Sequence, residues 1–187
     1  MNQDRVQGLL ALGYECLKNA DLESALSYFD QALREDFEDG EVLYALKCSG
    51  FWKERLSPEA LPEDPFARGD RVLGTWKTFK VFLSRISGGY ERASYAFKRL
   101  VFGIALKAYL SVPEEKRPNP DPELEFRLGR CRKALGDYTT ASAHLAKASA
   151  GRKDWARCLA ELADCRGLSG DAALSKAGFR EAFYLDP

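Results

Sequence analysis

The chain has 187 residues, with 28 Lys+Arg, 28 Asp+Glu and one histidine, for a formal net charge of zero. Hydrophobic residues make up 45% and charged residues 30%, a balance that excludes a disordered chain and allows one domain with a buried core. Neutrality also removes any global electrostatic argument for a nucleic-acid partner.

Charge is nevertheless segregated along the chain. Residues 1–65 hold 6 Lys+Arg against 14 Asp+Glu, residues 66–110 hold 9 against 2, and residues 111–187 hold 13 against 12. Such a molecule can steer charged partners or self-associate head to tail, or its two charge blocks can face each other internally. The five cysteines (Cys16, Cys48, Cys131, Cys158, Cys165) are odd in number and mostly sit at apolar positions of predicted helices. They read as reduced core thiols. With His144 alone there is no ligand set of the usual zinc type, so neither a metal nor a cofactor is expected. The first residues enter a helix without a signal pattern. The most apolar run, 101–112, is too short to span a bilayer. These readings predict a soluble, cytoplasmic protein.

In chain order, residues 5–19 form a predicted helix with Val6, Leu9, Leu12, Gly13 and Cys16 on one face. Asp21 is a good cap for a second helix, which turns Ala25, Phe29 and Ala32 inward. A third helix is expected over 41–54, with Leu43, Leu46 and Gly50 on its packing face and Tyr44, Phe51 and Trp52 partly off it. Pro58, Pro62 and Pro65 make 57–65 a loop or a short broken turn. Two longer helices follow, 68–87 and 90–111, separated by Gly88-Gly89. Trp76, Phe79, Leu83 and Ile86 form a stripe on the first of them. The second carries two apolar lines, Ala93-Phe97-Leu100-Ile104 and Tyr95-Phe102-Leu106-Tyr109. A helix apolar on both sides is either central or part of an interface. The prolines of 113–122 then make a rigid exposed connector.

The last third contains nearly the same pattern twice. Gly136-Asp137-Tyr138 is followed by Ala141, Leu145 and Ala148, and 34 residues later Gly170-Asp171-Ala172 is followed by Ser175, Phe179 and Ala182. Each Gly is preceded by an apolar helical run, Leu124-Leu128-Cys131 and then Leu159-Leu162-Ala163. Helical pairs repeated at this interval stack because one hairpin cannot bury its own apolar face.

With these residues the chain resembles the tetratricopeptide (TPR) repeat family. Phe179, Ala182, Tyr184, Leu185, Asp186 and Pro187 look like the family's closing segment, and Leu128-Gly129, Gly136-Asp137-Tyr138, Ala141 and Ala148 match the unit before it. Leu9, Leu12-Gly13, Ala25, Phe29 and Ala32 match a first unit, which departs from the pattern at Ala20, where the turn Gly is usual, and at Phe37, where Pro is usual. Ala93 and Phe97 look like the second half of a further, degenerate unit. The resemblance implies an all-α, TPR-like helical-hairpin solenoid (α-α superhelix) with an enlarged, irregular central helical region. The expected layout is a single domain over 1–187. It comprises a first repeat (5–39), a central region (40–112), a Pro-rich connector (113–121) and tandem repeats (122–153 and 154–187). About nine helices are expected, an odd number for paired hairpins.

No catalytic constellation is legible. His144 reads as a surface or repeat-seam residue, and Ser87-Gly88-Gly89 opens a helix without the Lys-Ser/Thr that a phosphate-binding loop requires. The cations Lys77, Lys80, Arg85, Arg92, Lys98 and Arg99 mingle with Trp76, Phe79, Tyr90 and Tyr95, a mixture suited to single-stranded nucleic acid or a membrane surface. Aromatics at three- and four-residue spacing more often form core, so both partners are disfavoured. In the family, the first helix of each hairpin lines a concave groove that holds a partner's peptide or helix. Matching columns here are Leu10, Tyr14 and Leu17, then Tyr44 and Phe51, then Phe126, Arg130 and Lys133, then Arg157. Leu10 and Tyr14 stand where the co-chaperone branch carries a carboxylate clamp, which is therefore absent. The expected function is a non-enzymatic scaffold or adaptor for another protein. The alternative is self-assembly of an acidic N-terminal surface on the basic centre.

Overall fold

The computed structural model describes residues 2–116 and 121–186. Among the described residues the chain is all-α. Its helices are α1 (Asn2–Lys18), α2 (Leu22–Glu35), α3 (Gly40–Arg55), α4 (Pro65–Leu83), α5 (Glu91–Leu110), α6 (Pro122–Ala134), α7 (Tyr138–Gly151), α8 (Ala156–Leu168) and α9 (Ala172–Leu185). Single 3-10 turns lie at Pro58–Ala60 and Glu114–Lys116. Pro118 and Pro120 of the expected connector, and the closing Pro187, lie outside the described residues.

Local chemistry explains most helix boundaries. Aspartate side chains cap α2, α3, α4, α6, α7 and α9, accepting from backbone N–H groups of the first turn; each occupies a donor that the helix leaves unpaired. Three turns share one closing hydrogen bond. The N–H groups of Asp21, Asp137 and Asp171 donate to the carbonyls of Cys16, Arg132 and Arg166 at 2.9, 3.0 and 2.9 Å. The residue before each aspartate is left-handed: Ala20 at φ 62°, Gly136 at 88° and Gly170 at 91°. This is the six-to-one closure that ends a helix on a left-handed residue. Gly88, at φ 105°, marks the bend between α4 and α5. Hairpins therefore form at α1–α2, α6–α7 and α8–α9, whereas α4 and α5 meet through the ring pairs Trp76–Phe102 and Phe79–Phe97.

The chain divides into two compact units, Met1–Ala105 and Leu106–Pro187. In the first unit Gly13 faces Phe29. A Cβ on that glycine would lie 2.3 Å from Phe29 Cε1, so the hairpin closes only because the side chain is missing. In the second unit Gly129 faces Leu145 in the same way, at 2.6 Å. The inward residues expected for the second helices, Ala25, Phe29, Ala32, Ala141, Leu145 and Ala148, are all fully buried.

Several expected faces are rotated. On α1 the buried residues are Val6, Leu10, Gly13, Tyr14 and Leu17, whereas Leu12 is half exposed. On α3, Tyr44, Cys48 and Trp52 are buried while Leu43 and Gly50 are exposed. The reason is that α3 packs on two sides, against α2 and against an aromatic cluster. In that cluster Phe79 lies 5.2 Å from Trp52, 5.1 Å from Phe51 and 5.6 Å from Phe97. α4 begins at Pro65, a residue expected in the broken turn, because proline suits the first helical position after the Asp64 cap. α4 also ends at Leu83, leaving Ile86 beyond it. The two-sided α5 is central rather than a free face: Ala93, Phe97, Leu100, Phe102, Leu106 and Tyr109 are buried, Ile104 is half-buried, and Tyr95 and Leu110 stand open.

Candidate protein-interaction surface

The first-helix column of the first unit is covered by the unit's own α5. Leu10, Tyr14, Leu17 and Tyr44 are buried and Phe51 is half-buried. Tyr90 packs edge-on against Tyr44 at 5.4 Å, and Ser94 hydrogen-bonds the Tyr44 hydroxyl. The Arg92 guanidinium lies 5.5 Å from the Tyr14 ring and holds both Glu41 oxygens, Oε1 at 2.5 Å and Oε2 at 2.7 Å. It also donates to Gln7. Tyr14 donates its hydroxyl to the same Glu41 at 2.9 Å; burial, then the Glu41 charge, push its pKa far above the ordinary phenol value. Lys18 sits over the open Tyr95 ring at 5.8 Å. Basic centre and acidic N-terminal third thus meet within one molecule at Arg92 and Glu41.

The corresponding column of the second unit is built on α6 and α8. Phe126 is buried, with its ring centroid 4.4 Å from that of the half-buried Trp155. Three arginines surround the two rings. Arg130 and Arg157 each lie 5.6 Å from the Phe126 ring, and Arg152 lies 4.9 Å from Trp155. Below them an ion-pair ladder joins the helices: Arg130 to Glu161 at 3.3 Å, Lys133 to Glu161 at 2.6 Å and Lys133 to Asp164 at 2.5 Å. Burial pulls the Lys133 ammonium down, but hydrogen bonds to Asp164 and Glu161 outweigh it, and its pKa is raised. Arg152 also pairs with Glu123 at 3.1 Å. Arg157 is exposed and has no ion pair among the described residues. The structure therefore brings Phe126, Arg130, Lys133 and Arg157 onto one surface. Trp155, Arg152 and Glu161 belong to it too and were missed by sequence reasoning. A large aromatic at Trp155, just before a helix and outside its apolar period, was the available signal.

Other candidate chemistry is structural. Burial pushes the thiols up, Cys48 to about 12 and Cys158 and Cys165 to about 11, so they stay protonated at neutral pH. His144 is half-buried on the α6–α7 seam, its Nδ1 2.7 Å from Glu125. Among the described residues no cluster of His, Cys, Asp and Glu could hold a metal ion, and no helix is long and apolar enough to cross a membrane. On α4, Arg71, Lys77 and Lys80 are exposed, whereas Trp76 and Phe79 turn toward each other at 5.5 Å. Cations and rings that together would hold stacked bases are thus separated.

No family model matches the chain, and no curated protein matches it. Solved structures of MamA are similar to it at low identity. One aligns at TM-score 0.42 and 14% identity, covering 98% of this chain and 93% of that one. Another, residues 41 to the end of MamA from Desulfovibrio magneticus RS-1, aligns at 0.43 and 16%, covering 98% and 96%.

Proposed function

We propose that this chain is a non-catalytic protein-interaction scaffold whose recognition surface is the α6–α8 face of the second unit. The observation that carries the reading is α5. In the first unit, this sequence lays a largely apolar helix across the first-helix column and anchors it with an arginine on a carboxylate, Arg92 on Glu41. A groove that holds a helix of its own chain is chemically suited to hold one from another protein.

In the second unit, the half-buried Trp155, backed by the buried Phe126, offers an apolar edge, and Arg130, Arg152 and Arg157 ring it with charge. The partner class that fits is an acidic segment carrying an apolar or aromatic side chain. Its carboxylates would pair with the exposed Arg157 and compete with Glu161 for Arg130, and arginine forks favour such planar acceptors. Five free thiols suit a reducing compartment, and a cytoplasmic location accords with that.

The test is capture from a lysate by the wild-type chain and by an Arg152→Glu/Arg157→Glu variant, with captured proteins identified by mass spectrometry. Both arginines are exposed and lie outside the Arg130–Glu161–Lys133–Asp164 ladder; the variant disturbs only the surface pair of Arg152 with Glu123, a change of about 1 kcal/mol or less. Reversing Arg130 and Lys133 instead would set new carboxylates against Glu161 and Asp164. Loss of a specific partner with an unchanged thermal midpoint supports the reading. Equal capture by both proteins refutes it.

A further inference from the structure

Two surfaces of this molecule are the open halves of a contact that the molecule also makes internally. Within the second unit, α7 packs on α8 through Ala141, Leu145 and Ala148 against Cys158, Leu162 and Cys165, all buried in one cluster. One polar contact fixes the pairing: Cys158 donates to the Leu145 carbonyl at 3.4 Å. Ser142 lies beside the Cys165 thiol.

The repeat period projects each half onto an exposed helix. Moving α7 forward by the 34 residues that separate Gly136 from Gly170 turns Leu145 into Phe179 and Ser142 into Lys176. Moving α8 back by the 150 residues that separate Ala20 from Gly170 turns Cys158, Leu162 and Cys165 into Gly8, Leu12 and Glu15. Leu145, Cys158 and Cys165 are fully buried, whereas Phe179 is 44% and Leu12 50% exposed. Gly8 and Glu15 are exposed as well.

The substitutions are complementary. Leu145 grows to Phe179 where Cys158 shrinks to Gly8. A Cβ at Gly8 would meet nothing within 4 Å, so this glycine has no packing reason inside its own molecule. In a helix interior it costs about 1 kcal/mol relative to alanine. The neutral Ser142–Cys165 juxtaposition becomes Lys176 facing Glu15, an opposite-charge pair. Among the described residues, the ion pair of Glu15 is with its near neighbour Lys18, at 2.6 Å, a surface pair of little worth. Phe183, 64% exposed, extends the apolar face of α9 beside Phe179.

We propose that α9 of one copy docks on α1 of a second copy, placing Phe179 over Gly8 and Leu12 and Lys176 beside Glu15, in the geometry of the α7–α8 contact. The contact is heterologous, so every open assembly keeps one free head and one free tail. Association continues as a filament unless its rotation closes a ring. It differs from docking of the acidic N-terminal third on the basic centre, because α5 is already buried in its own chain.

The experiment is sedimentation velocity over a concentration series, with the 187-residue chain and two single variants, Phe179→Asp and Leu12→Asp. Both positions are exposed, and circular dichroism checks that each variant stays folded. The wild-type mass is expected to rise above 20.9 kDa with concentration. Each variant alone stays monomeric, because one has a blocked tail and the other a blocked head. Mixing them yields a one-to-one dimer through the intact α9 of one and the intact α1 of the other, and nothing larger. Glu15→Lys weakens association about tenfold or more, and adding Lys176→Glu restores it.

A wild-type chain that stays monomeric across the series overturns the proposal, whether the faces then belong to another protein or to flanking residues of a longer chain. A Leu12→Asp variant that still self-associates also overturns it, since α9 would then pair with itself.

Discussion

Arg92 on α5 holds both carboxylate oxygens of Glu41 on α3, and Tyr14 on α1 donates to the same carboxylate. Three helices therefore converge on one acidic side chain, which is itself only 11% exposed. Arg92→Leu leaves that charge partly buried with one partner fewer. The expected cost is about 1–2 kcal/mol, read as a lower urea midpoint. Amide exchange in the first turns of α5 should quicken, with α8 and α9 unchanged. Uniform exchange throughout would place the loss elsewhere than at this junction.

Alkaline pH should destabilise the fold in a specific window. Tyr14 and the thiols of Cys48, Cys158 and Cys165 all have pKa values raised, chiefly by burial. For an acid whose folded value is raised, stability is complete below the unfolded value and declines as pH rises toward the folded one. The ordinary thiol value is 9.0, and the folded values are about 11 and 12. Urea midpoints should thus be flat below about pH 8 and fall steadily above about pH 9. Cys48→Ala should flatten part of that slope. An unchanged slope would show that Cys48 does not contribute to it.

Ala20 occupies a left-handed position that glycine fills in the two later turns. An L-residue there costs roughly 1–2 kcal/mol, less what a glycine loses through its freer unfolded chain. Ala20→Gly should raise the thermal midpoint, whereas Gly136→Ala and Gly170→Ala should each destabilise by about 1 kcal/mol. Calorimetry on the three variants checks both signs.

Gly13 leaves the space that Phe29 fills. Gly13→Ala gains helix propensity but overpacks the hairpin, and the overpacking of roughly 1–3 kcal/mol should exceed the gain of about 1 kcal/mol. Adding Phe29→Leu should not recover the loss, because a leucine needs the same missing side chain: a Cβ on Gly129 would lie 2.6 Å from Leu145. A Gly13→Ala protein as stable as the wild type would show that the ring shifts freely.

Sequence alone determined the parts of this protein that depend on a few neighbouring residues. Asp21 announces a helix start, Gly136-Asp137 and Gly170-Asp171 announce turns between paired helices, and Ala25-Phe29-Ala32 and Ala141-Leu145-Ala148 announce buried faces. Each rests on hydrogen bonds or sterics within about one helical turn, so local order is enough to read them. Only the tertiary structure decided that α3 buries Tyr44 and Trp52 rather than Leu43, that α5 covers the first-helix column, and that Trp155 joins Phe126. Glu41 and Arg92 are 51 positions apart, and α3 and α5 are apolar on more than one side. Periodicity says that such helices are buried. It cannot say against what, because several faces of similar hydrophobicity compete and the choice is made by the packing of the whole unit.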